Sequence, residues 1–451
     1  MVHGKGNNGG FVNGYRLDFP PMKKQLSLLF IMGCLGWCGP VFAGDANTTT
    51  NRLQIRKDTP ADAYASMELL TEAMMMIKRY YVEDEDYAQI TAGALQGMLQ
   101  ALDEHSTFLE ESPLSNLKEE TTGKYAGIGA QIGMRDGLLI IISPFEGTPA
   151  FKAGLQSGDK ILELEGKETK DMRLDEAVKM MRGEKGSKIK LSILKQGTSS
   201  PIDIVLTREI IDIPTVKDAK IIKDGTAYVR LTQFAENTAD MLKSALERLD
   251  KEGMNSIILD LRSNHGGLLD SSVKVSSLFL EKDKVVVTTK GRPDVSKPDV
   301  RKSVGDKRYV DIPMAVLVDN FSASAAEIVA GALKDQKRAV IVGATTYGKG
   351  SVQNVITMSA NPKTAIKLTT AYYYTPSGLR IHEKGIDPDI RTYLPPEEWR
   401  RVMMKAMMES QPGSLNEAEK KECATVVDYP LQRAFDLLQG LKVYKTGDSS
   451  Q

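Results

Sequence analysis

Two short segments of the sequence carry residue types suited to a serine nucleophile and its base. The first segment, residues 320–327, reads Asn-Phe-Ser-Ala-Ser-Ala-Ala-Glu and places Ser324 where a predicted strand ends and a predicted helix of small residues begins. The first NH groups of a helix lack partners within it and lie at the positive end of its dipole, so they can stabilise an oxyanion. Residues 324–327 also fit a capping box that needs no catalysis, so this segment alone leaves both interpretations open.

The second segment, residues 346–353, places Lys349 between two glycines, directly after a predicted strand. The glycines permit a tight bend that points the lysine inward, whereas a solvated turn lysine is the alternative. A serine hydroxyl needs a base, and none of the four histidines lies in the sequence context of a catalytic triad. A buried lysine can serve when desolvation lowers its pKa from about 10.4 toward neutrality. Gln353, four residues further on, is the candidate for an orienting hydrogen bond.

Residues 322–332 and 347–353 together resemble the signature of the carboxy-terminal processing (tail-specific) proteases. In that family a serine nucleophile is followed 25 positions later by a lysine base and four positions after that by a glutamine, which is the spacing of Ser324, Lys349 and Gln353. Residues 260–268 and 375–389 match further family motifs, so the resemblance covers nearly all of residues 62–395. It implies a serine endopeptidase that cleaves exported proteins near their C-termini and has a crotonase/ClpP-like α/β core.

The same resemblance implies the donors of an oxyanion hole, and the sequence departs from the family at two places. The implied donors are the backbone NH groups of Ala325 and of a glycine in the turn formed by Gly266 and Gly267. His265 stands where the family usually has proline, which places an ionisable ring beside that turn. Residues 103–105 read Asp-Glu-His where the family has Asp-Pro-His, and we expect His105 to have a structural role.

Residues 124–130, 147–150 and 153–162 resemble a circularly permuted PDZ domain. Such domains add an extended peptide as a strand and bind its terminal carboxylate through loop NH groups. Gly127, Ile128 and Gly129 form the candidate carboxylate-binding loop, for which an ordinary turn at the start of a strand is the alternative. Capture of a substrate C-terminus would deliver its tail to Ser324. Arg182, just after the helix of this domain, is a candidate for contact with the protease core.

The hydrophobic pattern of the sequence predicts the helices and strands that hold these motifs. It predicts two helices between residues 62 and 102, amphipathic helices at 397–408 and 431–441, and a helix at 174–181. Short strands broken by glycine are predicted at 128–132, 138–142, 160–164, 188–194 and 202–206. Continuous apolar strands at 256–260, 315–318 and 339–342 indicate a sheet covered on both faces.

The predicted fold is α/β, with a β-rich PDZ domain inserted into a protease core and helical regions at both ends. The predicted domains are a leader and signal peptide (1–43), a flexible segment (44–61), an N-terminal helical region (62–122), the PDZ domain (123–208), the protease core (209–395) and a C-terminal helical region (396–451).

Composition narrows the class of partner. Lysine plus arginine and aspartate plus glutamate balance at 59 against 59, which argues against recognition of nucleic acid or an anionic membrane by bulk charge. The histidines lack the spacing of metal ligands, and no cofactor is predicted. The expected partners are protein or peptide substrates with accessible C-termini, a second copy of the chain paired through the terminal helices, and an adaptor protein.

The N-terminal segment has the order of a signal peptide. A basic pair at residues 23–24 precedes an apolar run from Leu26 to Phe42, and Ala43 ends a small-residue cleavage site. This order predicts export to the periplasm, with an uncleaved membrane anchor as the alternative. Cleavage would leave Cys423 as the one cysteine of the mature chain.

Two other functions compete with proteolysis. A PDZ-based scaffold would bind protein tails without cleaving them, but the joint presence of Ser324, Lys349 and Gln353 argues against it. A hydratase or isomerase on the crotonase-like fold is the second alternative, and no coenzyme-binding pattern supports it.

Overall fold

The structure, a computed structural model, describes residues 59–135, 137–305, 309–410 and 417–448. The chain divides into two units, residues 1–70 and residues 71–451. The predicted signal peptide lies outside the described residues. Most of the predicted flexible segment also lies outside them, but its last two residues, Pro60 and Ala61, belong to the first helix.

Two helices, a short strand and a third helix precede the inserted module. They are α1 (Pro60–Tyr80), α2 (Tyr87–Gln100), β1 (Thr107–Leu109) and α3 (Glu111–Thr122). Helix α1 crosses the boundary between the two units, and none of its residues is buried. The carboxylate of Asp86 caps α2 by accepting a hydrogen bond from the Gln89 NH at 2.7 Å. The two helices predicted between residues 62 and 102 are confirmed.

The inserted module contains a six-stranded antiparallel sheet and two helices. Its elements are β2 (Lys124–Gly127), β3 (Ala130–Arg135), β4 (Leu138–Pro144), α4 (Pro149–Lys152), β5 (Lys160–Leu164), β6 (Lys167–Glu168), α5 (Leu174–Met181), β7 (Lys188–Leu194), β8 (Ile202–Thr207) and β9 (Glu209–Asp212). The sheet order is β3-β4-β5-β7-β8, with β6 paired to β5. The strand predicted at 128–132 begins instead at Ala130, because Gly129 adopts a φ of +77° and a β-carbon there would lie 2.3 Å from Thr148 Cβ.

A two-stranded ribbon joins the module to the rest of the chain, since β2 pairs antiparallel with β9. Arg182, which follows α5, donates to Glu119 of α3 at 2.6 Å and lies over the ring of Tyr125 at 5.1 Å. Arg182 therefore contacts the N-terminal region and the module's own first strand, rather than the protease core that the sequence analysis expected.

The core and the C-terminal helices follow the module. Their elements are β10 (Val216–Lys223), β11 (Thr226–Leu231), α6 (Thr238–Lys251), β12 (Ser256–Asp260), α7 (Leu269–Ser277), β13 (Val285–Gly291), β14 (Asp299–Lys302), β15 (Met314–Val318), α8 (Ala325–Asp335), β16 (Val340–Gly343), β17 (Ser351–Thr357), β18 (Ala365–Tyr374), β19 (Ile390–Arg391), α9 (Pro396–Ser410), α10 (Glu417–Cys423) and α11 (Tyr429–Asp448). Among the described helices, none has both the length and the apolar character needed to cross a membrane.

The central sheet runs β10-β11-β12-β15-β16-β19 and is parallel except for β10. Every residue of β12 and β15 is buried. Alternate residues of β12 pack on opposite sides: Leu259 joins the cluster that contains α6, α7 and α8, whereas Ile258 joins the cluster that contains Ala434 and Leu438 of α11. The predicted sheet covered on both faces is confirmed, with α11 as the cover of one face.

A second sheet of five strands was not predicted. Its central strand, β18, pairs with β1, β13 and β17, and β14 pairs with β13. Thr107 of β1 lies opposite Lys367 of β18, so chain from both sides of the inserted module builds this sheet. Strand β17 begins two residues after Lys349 and therefore fixes the segment that carries this lysine.

Candidate active site

Ser324 lies between β15 and the first residue of α8 and is buried. Its backbone has φ 54° and ψ −114°, a conformation that residues with a β-carbon rarely adopt. Such strain costs about 1–3 kcal/mol and concentrates at active sites. Ser324 is the N-cap of α8 and forms a capping box with Glu327, but its backbone conformation differs from the extended one that a helix cap ordinarily adopts.

The glycine turn packs directly against Ser324. A β-carbon on Gly266 would lie 2.8 Å from Ser324 Cβ and 2.9 Å from the backbone nitrogen of Ala325, so only glycine permits this approach. The Gly266 NH donates to Asn264 Oδ1 at 2.9 Å. Within the described residues, no acceptor is found for the NH groups of Ala325 and Gly267. These two NH groups thus remain available near the serine.

Asn264, which the sequence analysis did not single out, holds this turn in place. Its side chain is fully buried, and its Nδ2 donates to the Leu231 carbonyl at 2.8 Å. Its own carbonyl accepts from the Ala323 NH at 2.9 Å. The neighbouring His265, the departure from the family pattern, is exposed.

The buried carboxylate of Glu327 joins the serine segment to the lysine segment. Its Oε2 accepts from the backbone NH of Ser324 at 2.8 Å and from that of Lys349 at 2.9 Å. Its Oε1 accepts from Thr346 Oγ1 and from the Gly348 NH, each at 2.6 Å. Burial raises the pKa of Glu327, and the four hydrogen bonds oppose that rise. The residue that fits a capping box in the sequence therefore has a second, long-range role.

Lys349 is half-buried and lies two residues before β17 begins. Burial, and after it the ammonium of Lys367, lowers the pKa of Lys349, while the carboxylates of Glu104 and Glu327 oppose the change. A lowered pKa is the property that a lysine needs to act as a base.

Gln353 does not make the hydrogen bond that the sequence analysis expected. Its Nε2 donates to Ser351 Oγ at 2.8 Å and to Thr369 Oγ1 at 3.4 Å. Among the described residues, no hydrogen bond joins Gln353 to Lys349. The glutamine is nevertheless held on β17, beside the strand that contains Thr369.

The segment before β1 also reaches this region. Ser106 Oγ accepts from the Thr369 NH at 3.1 Å and donates to Asp103 at 2.9 Å. Burial, and after it the charge of Lys349, lowers the pKa of His105, so the imidazole lies within electrostatic range of the lysine. The sequence offered only the Asp-Glu-His motif as a signal for this proximity.

The candidate carboxylate loop of the module precedes an edge strand. The backbone carbonyl of Ile128 accepts from the Ala150 NH at 2.8 Å, and that of Gly129 accepts from the Phe145 NH at 2.8 Å. In the part of the chain that the structure describes, the NH groups of Ile128 and Gly129 have no acceptor. Strand β3 pairs only with β4 among the described strands, so its other edge is open.

Three family models and several relatives match this chain. Residues 225–392 match peptidase family S41, residues 116–194 match the PDZ domain, and residues 31–112 match the N-terminal domain of the activating protease CtpB. The chain is 36% identical over 408 residues to the carboxy-terminal-processing protease of Bartonella bacilliformis. The match covers 86% of this chain and 91% of that relative. The chain belongs to the carboxy-terminal processing proteases.

Two further similarities were found. This carboxy-terminal processing protease is 34% identical over 378 residues to CtpA of Bacillus subtilis, covering 83% of the chain and 78% of the relative. It also matches the solved photosystem II D1 C-terminal processing protease at 29% identity, over 73% of this chain and 93% of that one, with a TM-score of 0.43. The predicted serine-type peptidase, its α/β protease core, its PDZ domain and its helical ends are confirmed.

Proposed function

We propose that Ser324 is the nucleophile of this protease and that Lys349 is its general base. The observation that carries the proposal is the single oxygen atom, Glu327 Oε2, that accepts from the backbone NH groups of both residues. One buried atom thereby holds the backbone of the serine segment next to the backbone of the lysine segment. The lowered pKa of Lys349 supports its role, because the neutral amine is the form that takes a proton.

The proposed reaction is an acyl transfer to the serine. Ser324 Oγ attacks the carbonyl carbon of the scissile bond while its proton passes to Lys349 Nζ. The oxyanion then receives hydrogen bonds from the NH groups of Ala325 and Gly267. Lys349 returns the proton to the leaving amine as the peptide bond breaks. Water hydrolyses the acyl-enzyme by the same proton transfer in the second half of the reaction.

Two further residues have proposed roles beside the dyad. Gly266 permits the close approach of the turn to Ser324 because it has no β-carbon. It is not assigned as an oxyanion donor, because its NH donates to Asn264. The role of Gln353 in orienting Lys349 stays a prediction, because the hydrogen bonds of its Nε2 go to Ser351 and Thr369.

The PDZ domain is proposed to capture the C-terminus of the substrate. The unpaired NH groups of Ile128 and Gly129 suit a carboxylate, and the open edge of β3 suits an added peptide strand. Ala130 and Ile132 of β3 and Met180 of α5 are partly buried against the domain core and would receive apolar side chains of the peptide. The substrate class is therefore proteins with accessible, apolar C-termini.

Cleavage of a tailed substrate tests the proposal. The chain lacking residues 1–43 is incubated with an unstructured protein that ends in apolar residues, and the fragments are read by mass spectrometry. We expect cleavage by the parent and by the exposed-lysine control Lys185→Ala, and none by Ser324→Ala or Lys349→Ala. An amidated substrate C-terminus should raise KM. Cleavage that persists in Ser324→Ala would exclude the dyad, whereas tail binding without cleavage by the parent would favour the scaffold.

The cellular and assembly context extends the proposal. The leader predicts export to the periplasm, and the domain boundaries given above remain predictions. Helix α1 exposes large apolar side chains, including Tyr64, Leu69 and Met75, which a second copy of the chain would cover. Sedimentation of the chain with and without residues 44–80 tests this dimer, which should become monomeric on truncation. An adaptor protein stays a predicted partner.

A further inference from the structure

A buried ion pair connects the C-terminal helices to the chain that enters the glycine turn. Arg262, which follows β12, is only 3% exposed. Its Nη1 and Nη2 donate to the two carboxylate oxygens of Asp428 at 2.7 and 2.8 Å, and its Nε donates to Asp260 at 3.0 Å. Asp260 is fully buried and also accepts from Tyr228 Oη at 2.7 Å. The guanidinium is therefore held between two carboxylates, one of them outside the protease core.

Two of the C-terminal helices, α9 and α11, contact Arg262. The indole ring of Trp399 in α9 lies 4.5 Å from the guanidinium carbon of Arg262. Asp428, just before α11, also accepts from the Leu431 NH at 3.1 Å, so one carboxylate both starts α11 and binds Arg262. Bidentate guanidinium–carboxylate pairs and cation–π contacts both fix orientation as well as distance. The C-terminal helices thus hold this arginine in one orientation.

The two residues that follow Arg262, Ser263 and Asn264, shape the glycine turn. The next residue, Ser263, has a φ of +55°, and its NH is bound by the carboxylate of Asp319 at 2.9 Å. Asn264 follows and binds the Gly266 NH. Arg262 is anchored through its side chain and through its backbone NH, which donates to Asp260 Oδ1 at 2.9 Å, and Ser263 is anchored through its backbone NH. These anchors add to the hydrogen bonds of Asn264 with Leu231 and Ala323 that hold the turn. Loss of one anchor permits the turn to shift relative to Ser324.

We propose that Asp428 and Trp399 are positioning residues for the oxyanion turn, and that they act through Arg262. Neither residue touches the substrate in this role, and both lie outside the region matched by the peptidase model. The kinetic consequence rests on the proposed function: a displaced Gly267 NH weakens binding of the oxyanion but leaves capture by the PDZ domain intact. In the variants we therefore expect kcat to fall while KM stays nearly unchanged.

Matched substitutions separate this role from ordinary stabilisation. Asp428→Asn removes the charge that faces Arg262 but keeps a good helix cap, because asparagine caps helices as well as aspartate does. Asp436→Asn is the control, since Asp436 is an exposed aspartate of the same helix that accepts only from Gln432 among the described side chains. Trp399→Leu removes the ring over Arg262 and provides a second variant if Asp428→Asn fails to fold.

Two readouts are measured on the chain lacking residues 1–43. Hydrogen–deuterium exchange of residues 263–268 needs no activity, and cleavage of the unstructured tailed protein gives kcat and KM. In Asp428→Asn and Trp399→Leu we expect exchange of the turn about tenfold faster. We also expect kcat to fall about 10- to 100-fold with KM changed by less than about twofold. Asp436→Asn should match the parent in both.

The outcomes are distinguishable from failure of the proposed function. If Asp428→Asn and Trp399→Leu exchange and turn over like Asp436→Asn, the positioning role is wrong. A selective rise in KM would also contradict it, because it would assign the helices to substrate binding. If the parent itself cleaves nothing, the proposed function fails, and the exchange of the turn alone decides the positioning role.

Discussion

Replacing Glu327 by glutamine should disable the protease without changing the volume of a side chain. The carboxylate accepts two hydrogen bonds at each oxygen, from Ser324 and Lys349 at Oε2 and from Thr346 and Gly348 at Oε1. Glutamine offers one oxygen, so its NH₂ group must face at least one backbone NH donor: Gly348 in one orientation, or Ser324 and Lys349 in the other. A hydrogen bond to a charged group contributes about 1.5–3 kcal/mol, so the free energy of unfolding should fall by at least that much.

Urea denaturation and steady-state cleavage measure the two effects of Glu327→Gln. We expect kcat to fall about 100-fold or more in the folded variant, because the backbone segments of Ser324 and Lys349, the proposed nucleophile and base, lose the atom that joins them. The control is Glu252→Gln, which removes an exposed ion pair with Arg248 of α6. This substitution should change the free energy of unfolding by about 0.5 kcal/mol or less. If Glu327→Gln stays within about 1 kcal/mol and threefold in kcat of the parent, the joining role of this carboxylate is refuted.

Three further changes test other contacts. Ser324→Gly should be about 1 kcal/mol more stable in urea denaturation than Ser324→Ala, because glycine relieves the backbone strain. The greater entropy that glycine gives the unfolded chain offsets only part of this stabilisation. Equal stabilities would argue against strain at this position. Lys349→Met should melt above the parent at pH 7, because a lysine with a lowered folded-state pKa costs stability wherever the unfolded chain is protonated. That advantage in Tm should shrink as pH rises toward about 10.4, and a pH-independent difference would contradict it. Gly129→Ala should weaken binding of a free-carboxylate peptide in fluorescence anisotropy, since the new methyl would meet Thr148, and unchanged affinity would remove the loop from the binding site.

The elements with a strong local pattern were predictable from the sequence. Helix α5 and strand β12 have the predicted bounds, because α5 has a clear helical hydrophobic period and β12 is a continuous apolar run. The second sheet was missed for a physical reason: most residues of β18 are only half-buried, and β17 exposes four of its seven residues, so neither strand shows a clear alternation. Pairing with β1, far away in sequence, determines where β18 lies.

The candidate site divides in the same way. Ser324, Lys349 and the glycine turn are recognisable because their motifs are linear and their spacing is unusual. Glu327 gave only a local signal, that of a capping residue, whereas its contacts with Gly348 and Lys349 form through the tertiary fold. The Asp428 contact with Arg262 had no signal in the sequence, because a single aspartate before an amphipathic helix is an ordinary cap.

The pairing of β1 with β18 joins two segments that are synthesised at different times. Ser106 and Thr369, which share a hydrogen bond at that seam, are separated by 263 positions in the chain. Ribosomes add about 5–20 residues per second, so β1 and the PDZ domain are synthesised well before β18 exists. The segment that contains Ser324 therefore leaves the ribosome before this sheet can close. A partly synthesised chain holds Ser324 before the seam between β1 and β18 exists.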